Sequence, residues 1–472
     1  MSLVIDQVVS DLRSMIGKEY VLTDYFERIN FADTCLPYDV QKEDLPDVVI
    51  NPANALEIAE VMKYASRQRI PVTTFGSGTS LIFSTKPKHG GIVLSTERLT
   101  DFVVEEDYQW LECGPGVKIG EATKELEKRG YFFPIQTQPT SSIGGAVSVN
   151  TLGHLTDNVF GRPLNNIIAL EVVLPTGEII QTGSRCLRRS SGWDLTRIFV
   201  GAEGVLGVIT KIRMILVPLQ ETVDAVGFFP SVEDIGQAIC LMYKNKLSLP
   251  MDGEFVGEKA CKIGIEAYGL DYPQTAMAVT RSGGRTKEEA KRNAGELVEL
   301  FRQVGATTAF TLEDEKVRKQ VWGIREYGRK WGKEKGLRGC QTIEINPPLP
   351  MLPQAMRELN KYTTGEAGEG ILREMECYFY GHIGSDSLHL RFAVPYGWPV
   401  EKMRTVVSTL WDLEAAWNLK YDGIGGDWGQ LPYRVPFYRS KYGEKSYELI
   451  KSMKRIFDPE NILNRGNVEG EI

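Results

Sequence analysis

The sequence predicts an α+β protein of two or three domains, and three observations support this fold class. The chain has 472 residues, more than one ordinary hydrophobic core accommodates. Between residues 110 and 218, short apolar runs alternate with Gly and Pro, which is typical of strands joined by turns. After residue 218, amphipathic helical patterns alternate with strand-like segments, so we expect a further domain to begin near residue 220.

The first elements along the chain form a helix–strand–loop–strand unit. In NALEIAEVMKYASRQ (54–68), apolar side chains recur at helical spacing, and Asn54 and Glu57 offer an N-cap and its capping-box partner. IPVTTFGSGTS (70–80) predicts a strand that runs into a glycine loop, and GGIVLST (90–96) predicts a second strand. We expect this first unit to end near residue 105.

The later part of the chain predicts a helix-rich domain and a tail. Amphipathic helices are predicted at 231–245, 286–305 and 444–457, and strands at 341–347 and 388–395. We therefore predict three parts, namely residues 1–220 with two subdomains, residues 221–420, and residues 421–472.

Composition and charge exclude several classes of protein. Apolar residues make up 42% and charged residues 25%, as in folded globular proteins. The net charge of -7 and the absence of a dense basic run argue against a nucleic-acid-binding protein. No apolar run approaches the 18 residues of a membrane span, and the N-terminal segment lacks the features of a signal peptide. The seven cysteines form no CxxC pair, which indicates reduced thiols, so we expect a cytoplasmic protein.

Three glycine-containing loops are candidate sites for a phosphate-bearing ligand. FGSGTS (75–80) follows a predicted strand, and its glycines would let backbone N–H groups approach a phosphate. It matches neither GxGxxG nor the P-loop, and alone it is more simply interpreted as a tight turn. PTSSIGGAVSVNTLG (139–153) and GAEGVLGVIT (201–210) add two further loops, so that three loops could surround one dinucleotide.

Four segments, in the same order, resemble the FAD-linked oxidases of the p-cresol methylhydroxylase and vanillyl-alcohol oxidase superfamily. They are PVTTFGSGTS, QPTSSIGGAVSVNTLG, SSGWDLTRIFVGAEGVLGVIT and FDPENILNRG. The resemblance covers nearly the whole chain and is best to the glycolate oxidase and D-lactate dehydrogenase branch. It implies an α+β fold with a two-subdomain FAD-binding domain of the p-cresol methylhydroxylase type, an α+β cap domain, and a C-terminal tail that returns to the flavin.

The resemblance also implies which residues bind FAD. They are, for the pyrophosphate, Gly76, Ser77, Gly78, Thr79 and Ser80; for the ribityl and diphosphate groups, Pro139, Thr140, Ser141, Ser142, Gly144 and Gly145; for the adenosine half, Glu203, Gly204, Val208 and Ile209; and elsewhere in the same segments, Phe75, Asn150, Gly153 and Asn464. Backbone donors and hydroxyls could satisfy phosphate oxygens without a cationic side chain. The first loop lacks the histidine through which some relatives bind FAD covalently, so we expect a non-covalent flavin.

The segment YFYGHIGSDSLHLRF (378–392) contains two of the four histidines of the chain. Its GSDS turn could bring His382 and His389 together, although they lie seven positions apart. In the resembling branch, both histidines are metal ligands, and the third ligand corresponds best to Asp422. The resemblance therefore implies a divalent ion (Zn, Mn or Fe) on His382, His389 and Asp422, while a metal-free site or a buried structural pair stays open.

The resemblance implies oxidation of a 2-hydroxy acid, such as lactate or glycolate, with hydride transfer to flavin N5. Arg325 in VWGIRE corresponds to the arginine that binds the substrate carboxylate, and the second cation of the branch corresponds to Thr342. We expect His389 or Asp422 to accept the hydroxyl proton, and His389 is preferred because histidine titrates nearer neutrality.

Two other functions stay open. Tyr433 and Arg434 resemble the pair that binds the phenolate oxygen in the vanillyl-alcohol and p-cresol enzymes, which predicts oxidation of a 4-alkylphenol or an aromatic alcohol. The departures from the family pattern also fit a flavoprotein electron-transfer subunit. In each case we expect a separate electron acceptor, such as an electron-transfer flavoprotein, a cytochrome or an iron-sulfur subunit, and a homo-oligomer or a subunit of a complex.

Overall fold

The computed structural model of the protein describes residues 2–32, 45–79, 85–151, 153–155, 157–186, 192–423 and 435–468. The described residues form three main sheets and a short two-stranded pair, with helices packed against them, so the architecture is α+β as predicted. Within these ranges, no helix is long and apolar enough to cross a lipid bilayer.

A four-stranded sheet forms the first layer. Its elements are α1 (Ser2–Ile16), β1 (Val21–Leu22), α2 (Tyr25–Arg28), β2 (Val48–Ile50), α3 (Ala55–Gln68), β3 (Val72–Phe75) and β4 (Ile92–Ser95). The strand order is β1-β2-β4-β3, and β4 runs parallel to both of its neighbours. Asn54 caps α3 as predicted, since its side-chain oxygen accepts hydrogen bonds from the N–H groups of Leu56 and Glu57. Helices α1 and α3 bury their apolar faces against this sheet.

A five-stranded antiparallel sheet forms the second layer. Its region contains β5 (Phe102–Glu105), β6 (Trp110–Cys113), α4 (Ile119–Glu127), β7 (Tyr131–Phe132), α5 (Ile143–Ser148), α6 (Asp157–Phe160), α7 (Pro163–Asn166), β8 (Ile167–Val173), β9 (Ile179–Gly183), α8 (Thr196–Phe199), β10 (Val208–Ile215) and β11 (Val217–Pro218). The strand order is β5-β6-β10-β8-β9, and β7 pairs separately with β11. Helices α4 and α5 pack on the core of this sheet.

A seven-stranded antiparallel sheet, here called the cap sheet, is built from residues 221–395. Its region contains β12 (Glu221–Phe229), α9 (Val232–Lys244), β13 (Asp252–Val256), α10 (Glu258–Tyr268), β14 (Ala276–Gly284), α11 (Lys287–Gln303), β15 (Thr308–Leu312), α12 (Glu315–Glu334), β16 (Leu337–Ile345), α13 (Leu352–Thr364), β17 (Glu376–His382), β18 (Leu388–Pro395) and α14 (Val400–Lys420). The strand order is β15-β12-β14-β13-β17-β18-β16. One face packs against α9, α11, α13 and α14, and part of the other face packs against α10 and α12.

The C-terminal segment returns to the first sheet. After α15 (Val435–Tyr442) and α16 (Glu444–Phe457), the chain runs alongside β3, where the N–H of Val72 donates to Ile462 O and the N–H of Asn464 donates to Val72 O, each at 2.8 Å. The buried ammonium of Lys454 donates to the carbonyl oxygens of Val205 and Leu463. These bonds fix the tail next to the second sheet.

Candidate functional site

A cleft between the four-stranded and five-stranded sheets contains most of the residues predicted to bind a cofactor. The predicted residues that line it are Phe75, Gly76, Ser77, Gly78, Thr79, Ser141, Ser142, Gly144, Gly145, Glu203, Gly204, Val208, Ile209 and Asn464. The cleft encloses about 1220 Å³ of space outside the protein atoms, including the part that is open to solvent. The three glycine-containing loops therefore converge on one cleft.

The remaining predicted residues do not line the cleft. Pro139 packs against α4, where its carbonyl accepts a hydrogen bond from the N–H of Gly120, and Thr140 is exposed. Asn150 uses its side-chain oxygen to accept a hydrogen bond from the N–H of Leu164. Gly153 packs closely on the backbone of Gln136. Ser80 lies outside the described residues.

The loops are shaped so that backbone and hydroxyl groups meet at the cleft. Gly78 adopts a left-handed conformation with φ of 60°, which allows the loop after β3 to turn. The hydroxyls of Thr79 and Ser141 lie 2.7 Å apart, which links the first loop to the second. Ser142 caps α5 by accepting a hydrogen bond from the N–H of Gly145. Gly145 itself is exposed in the cleft, and a Cβ there would approach Ser142 Oγ at 3.0 Å and no other atom within 4 Å.

One cation near the cleft was not predicted from the sequence. Lys118 Nζ donates a hydrogen bond to Ser77 Oγ at 2.8 Å and pairs with Glu97 Oε1 at 3.2 Å. None of the described residues that line the cleft is a Lys, Arg or His. The glycine backbone, the hydroxyls and a neighbouring ammonium suit the phosphates of a dinucleotide, while Val208 and Ile209 supply an apolar wall.

A cluster of charged and aromatic side chains lies on the face of the cap sheet that α12 crosses. His382 Nδ1 lies 3.0 Å from Glu254 Oε1, and Arg325 Nη1 lies 2.9 Å from the same oxygen. The Arg325 guanidinium also lies 4.8 Å above the ring of Tyr380. Burial alone would raise the pKa of Glu254, but the charges of Arg325 and His382 outweigh it and lower this pKa to about 2. The guanidinium predicted to bind a substrate carboxylate therefore already has an internal carboxylate partner.

The turn after β17 brings the two histidines together, because their rings lie 4.9 Å apart. His389 Nε2 is 3.1 Å from Ser387 Oγ, which donates to Glu344 Oε1 at 2.7 Å, and the imidazole stacks on Tyr380. Burial lowers the pKa of His389 to about 4, although Glu344 opposes this effect. The expectation that His389 titrates near neutrality is therefore wrong, and its imidazole is a weaker base than predicted.

The predicted metal-binding set is not assembled. The side chain of Asp422 is 89% exposed and pairs with Lys441 of α15, whereas both histidines bond to partners within the cap sheet. Within the described ranges, no group of three or more His, Cys, Asp or Glu residues is arranged to hold a metal ion. Asp422 follows the C-terminus of α14 with φ of 57°, and this backbone turn carries its carboxylate into solvent. Tyr433 and Arg434 lie outside the described residues.

We expect His389 to make folding stability depend on pH. The unfolded chain binds a proton near pH 6.5, whereas folded His389 binds one only near pH 4, so stability is lost as the pH falls between these values. At about 1.4 kcal/mol per pKa unit, the lowered pKa of His389 should reduce the free energy of unfolding by about 3.5 kcal/mol once the pH is below 4. Urea unfolding at several pH values should show a smaller fall in His389→Gln, whereas the exposed control His89→Gln should behave as wild type. An unchanged pH dependence in His389→Gln would contradict the assignment.

A small pocket on the same face of the cap sheet contains a second guanidinium besides that of Arg325. It is lined by Arg325, Glu326, Tyr378, Tyr380 and Arg391, with Val256 and Ala260. Arg391 is half-buried, and among the described residues its guanidinium has no carboxylate partner and no hydrogen-bond acceptor. A Cβ at position 339 would lie 2.5 Å from Arg391 Nη2, so Gly339 makes room for the guanidinium. The alternation of β18 places Arg391 on the face that also carries His389, but the sequence does not reveal that Arg391 pairs with no described carboxylate.

The comparisons with known proteins agree with this geometry. Residues 46–183 match the family described as FAD binding domain, and residues 219–468 match that described as FAD linked oxidases, C-terminal domain. The chain is 28% identical to a D-lactate dehydrogenase of Archaeoglobus fulgidus, covering 89% of this chain and 91% of the relative. It is 26% identical to the glycolate oxidase subunit GlcD of Bacillus subtilis, covering 94% and 93%.

Solved structures share the fold at low sequence identity. The 4-ethylphenol oxidase from Gulosibacter chungangensis superposes with a TM-score of 0.78 at 14% identity, covering 98% of this chain and 96% of the other. A p-cresol methylhydroxylase with substrate bound gives a TM-score of 0.75 at 15% identity, with the same coverage. The predicted p-cresol methylhydroxylase-type fold is therefore confirmed.

Proposed function

Because this chain belongs to the FAD-linked oxidases, we propose that it is a dehydrogenase that oxidises a 2-hydroxy acid to the 2-oxo acid. The named relatives support this proposal, since lactate and glycolate are both 2-hydroxy acids. FAD, when bound, supplies the acceptor for the hydride that leaves the substrate carbon. Ser77, Thr79, Ser142 and the glycines of the cleft would hold the cofactor, without a covalent bond.

Arg391 is the observation that favours a 2-hydroxy acid over a phenol. A half-buried guanidinium that has no counter-charge within the part of the chain that the structure describes favours an anionic ligand, and its planar fork suits a carboxylate. A 2-hydroxy acid carries a carboxylate at neutral pH, whereas a phenol, with a pKa of about 10, is uncharged. Arg391 would bind this carboxylate, with Arg325 as a positioning residue that Glu254 holds in place.

The pocket also lies next to groups that can contact the rest of such a substrate. Tyr380 lines the pocket and stacks on His389, and Arg325 lines it and pairs with Glu254. Tyr380 and Arg325 would therefore contact the remaining atoms of a substrate whose carboxylate binds Arg391. We further infer that the electrons pass to a separate acceptor, as one relative's name, D-lactate dehydrogenase [cytochrome], indicates for that protein.

Anaerobic reduction of the bound flavin tests this function. We expect D-lactate or glycolate to bleach the visible flavin absorbance of the purified holoprotein, and 4-alkylphenols at the same concentrations to leave it unchanged. Bleaching by the phenols alone would overturn the proposal. If neither class bleached the flavin, and a co-purifying redox subunit exchanged electrons with it, the protein would instead be an electron-transfer subunit.

A further inference from the structure

Lys118 connects two of the loops that form the cofactor cleft. It stands immediately before α4, and its backbone forms an antiparallel bridge with Ser142 of the second loop. The N–H of the next residue, Ile119, donates a hydrogen bond to Ser141 O at 2.9 Å. The side chain extends to the first loop, where Nζ donates to Ser77 Oγ at 2.8 Å. The ammonium is therefore held at the cleft by its backbone on one side and by Ser77 on the other.

The hydroxyl of Ser77 is left able to donate a hydrogen bond to a ligand. Ser77 lines the cleft, and its oxygen accepts the hydrogen bond from the Lys118 ammonium. Within the part of the chain that the structure describes, no protein acceptor takes the Ser77 O–H. A hydroxyl that accepts a hydrogen bond from an ammonium is itself a stronger donor, because the two hydrogen bonds polarise each other. Lys118 therefore strengthens the donor that Ser77 presents to the cleft.

The diphosphate of FAD needs a counter-charge that the described lining of the cleft does not supply. Among the described residues that line the cleft, the only ionisable side chain is that of Glu203, which is acidic. A hydrogen bond from an ammonium to a phosphate oxygen is roughly twice as strong as a bond between neutral groups. Lys118 lies one hydrogen bond behind this lining and can supply the positive charge.

The carboxylate that now pairs with Lys118 does not prevent this role. Glu97 Oε1 lies 3.2 Å from Lys118 Nζ, but the Glu97 side chain is 45% exposed and the Lys118 side chain is 30% exposed. An ion pair that is exposed to this extent contributes little, because water and salt screen both charges. An ammonium also has more N–H groups than Ser77 and Glu97 occupy, so Lys118 can donate to a phosphate oxygen while it keeps its bond to Ser77.

We propose that Lys118 and Ser77 together bind the diphosphate of FAD, with Lys118 as the source of the positive charge. The inference rests on the cofactor part of the proposed function and makes no use of the substrate. It adds a cofactor-binding side chain that lies outside the four segments that resemble the FAD-linked oxidases. It also requires that FAD binding weakens as the ionic strength rises, since salt screens a contact between an ammonium and a phosphate in a cleft that opens to solvent.

The experiment measures FAD binding by the apoprotein and the chemical reactivity of its lysines. FAD affinity is determined by fluorescence titration between about 0.05 and 0.5 M salt in wild type, Lys118→Met and Lys118→Arg. The matched control is Lys124→Met, because Lys124 is exposed on α4 and does not line the cleft. In parallel, wild-type apoprotein and holoprotein are treated with an amine-acetylating reagent, and acetylation of each lysine is followed by mass spectrometry.

We expect Lys118→Met to weaken FAD binding by about 10-fold or more at the lowest salt concentration, because a charge-assisted hydrogen bond is lost. The Kd of wild type should rise with salt, and the Kd of Lys118→Met should rise less steeply. Lys118→Arg keeps the charge and should stay closer to wild type in both respects. Bound FAD should protect Lys118 from acetylation and leave Lys124 as reactive as in the apoprotein. Lys124→Met should bind FAD as wild type does.

The results that would overturn the inference can be told apart from failure of the cofactor site. If Lys118→Met binds FAD as tightly as wild type, with the same salt dependence, Lys118 does not contact the diphosphate and the cofactor site stands. Equal acetylation of Lys118 in apoprotein and holoprotein would lead to the same conclusion from the wild-type protein alone, even if Lys118→Met failed to fold. If the wild-type apoprotein takes up no FAD, the proposed cofactor fails and the role of Lys118 fails with it.

Discussion

Gly145→Val should give a folded protein that retains little FAD. Gly145 is exposed in the cleft, and a Cβ there approaches Ser142 Oγ but no other atom within 4 Å, so larger side-chain atoms project into the space that the cofactor needs. Forcing extra methyl groups into an occupied site costs about 1–3 kcal/mol. We therefore expect FAD affinity to fall by about 10- to 100-fold, measured by fluorescence titration of the apoprotein.

A second glycine provides the control for this substitution. Gly295 lies in α11 of the cap region, and a Cβ there also meets no atom within 4 Å. Gly295→Val should bind FAD as tightly as wild type, and the apo forms of both variants should melt within a few degrees of wild type. Undiminished FAD binding by Gly145→Val would show that the cofactor does not lie in this cleft.

Arg391→Gln should raise KM for a 2-hydroxy acid more than any other single change in the cap region. The substitution removes the charge of the half-buried guanidinium but keeps a polar side chain of moderate size. A charge-assisted hydrogen bond contributes about 1.5–3 kcal/mol, so we expect kcat/KM to fall by about 10- to 150-fold. The loss should appear mainly in KM, because the carboxylate is bound equally in the ground state and the transition state.

Two further variants test whether KM depends on the charge of Arg391, on its planar guanidinium, or on the loss of any arginine in this region. Arg391→Lys keeps the charge without the planar fork, and should give a smaller increase in KM. Arg404→Gln removes an exposed arginine of α14 that pairs only with neighbouring Glu401 among the described residues, and should leave KM unchanged. If Arg391→Gln kept the wild-type KM for the hydroxy acid, the pocket would not be the carboxylate site.

The cofactor cleft could be predicted well because its signals are local in the sequence. Gly78, Ser142 and Gly145 act through their own backbone conformation, their hydroxyl or their lack of a side chain, and each lies in a short segment with a recognisable pattern. The strand before the first loop and the capped helix α3 are also local features. The structure therefore places these predicted residues in one cleft.

The charged residues were harder to predict because their environment depends on distant parts of the chain. No described residue pairs with Arg391, and Lys118 reaches Ser77, only because of how separate elements pack. His154 Nδ1 lies 2.8 Å from Asp252 Oδ1, a contact between the segment before α6 and β13 of the cap sheet that no local pattern reveals. The resemblance assigns Asp422 to the metal-binding set from its position in a segment alone. In the structure, the turn after α14 and the ion pair with Lys441 decide where the Asp422 carboxylate points.

A crystal structure of the FAD-bound protein with the 2-oxo acid product tests the central claim most directly. We expect FAD in the cleft between the first two sheets, and a product carboxylate oxygen within about 3 Å of the Arg391 guanidinium. A cofactor outside this cleft, or a product bound with its carboxylate away from Arg391, would contradict the assignment of both the cofactor site and the substrate class.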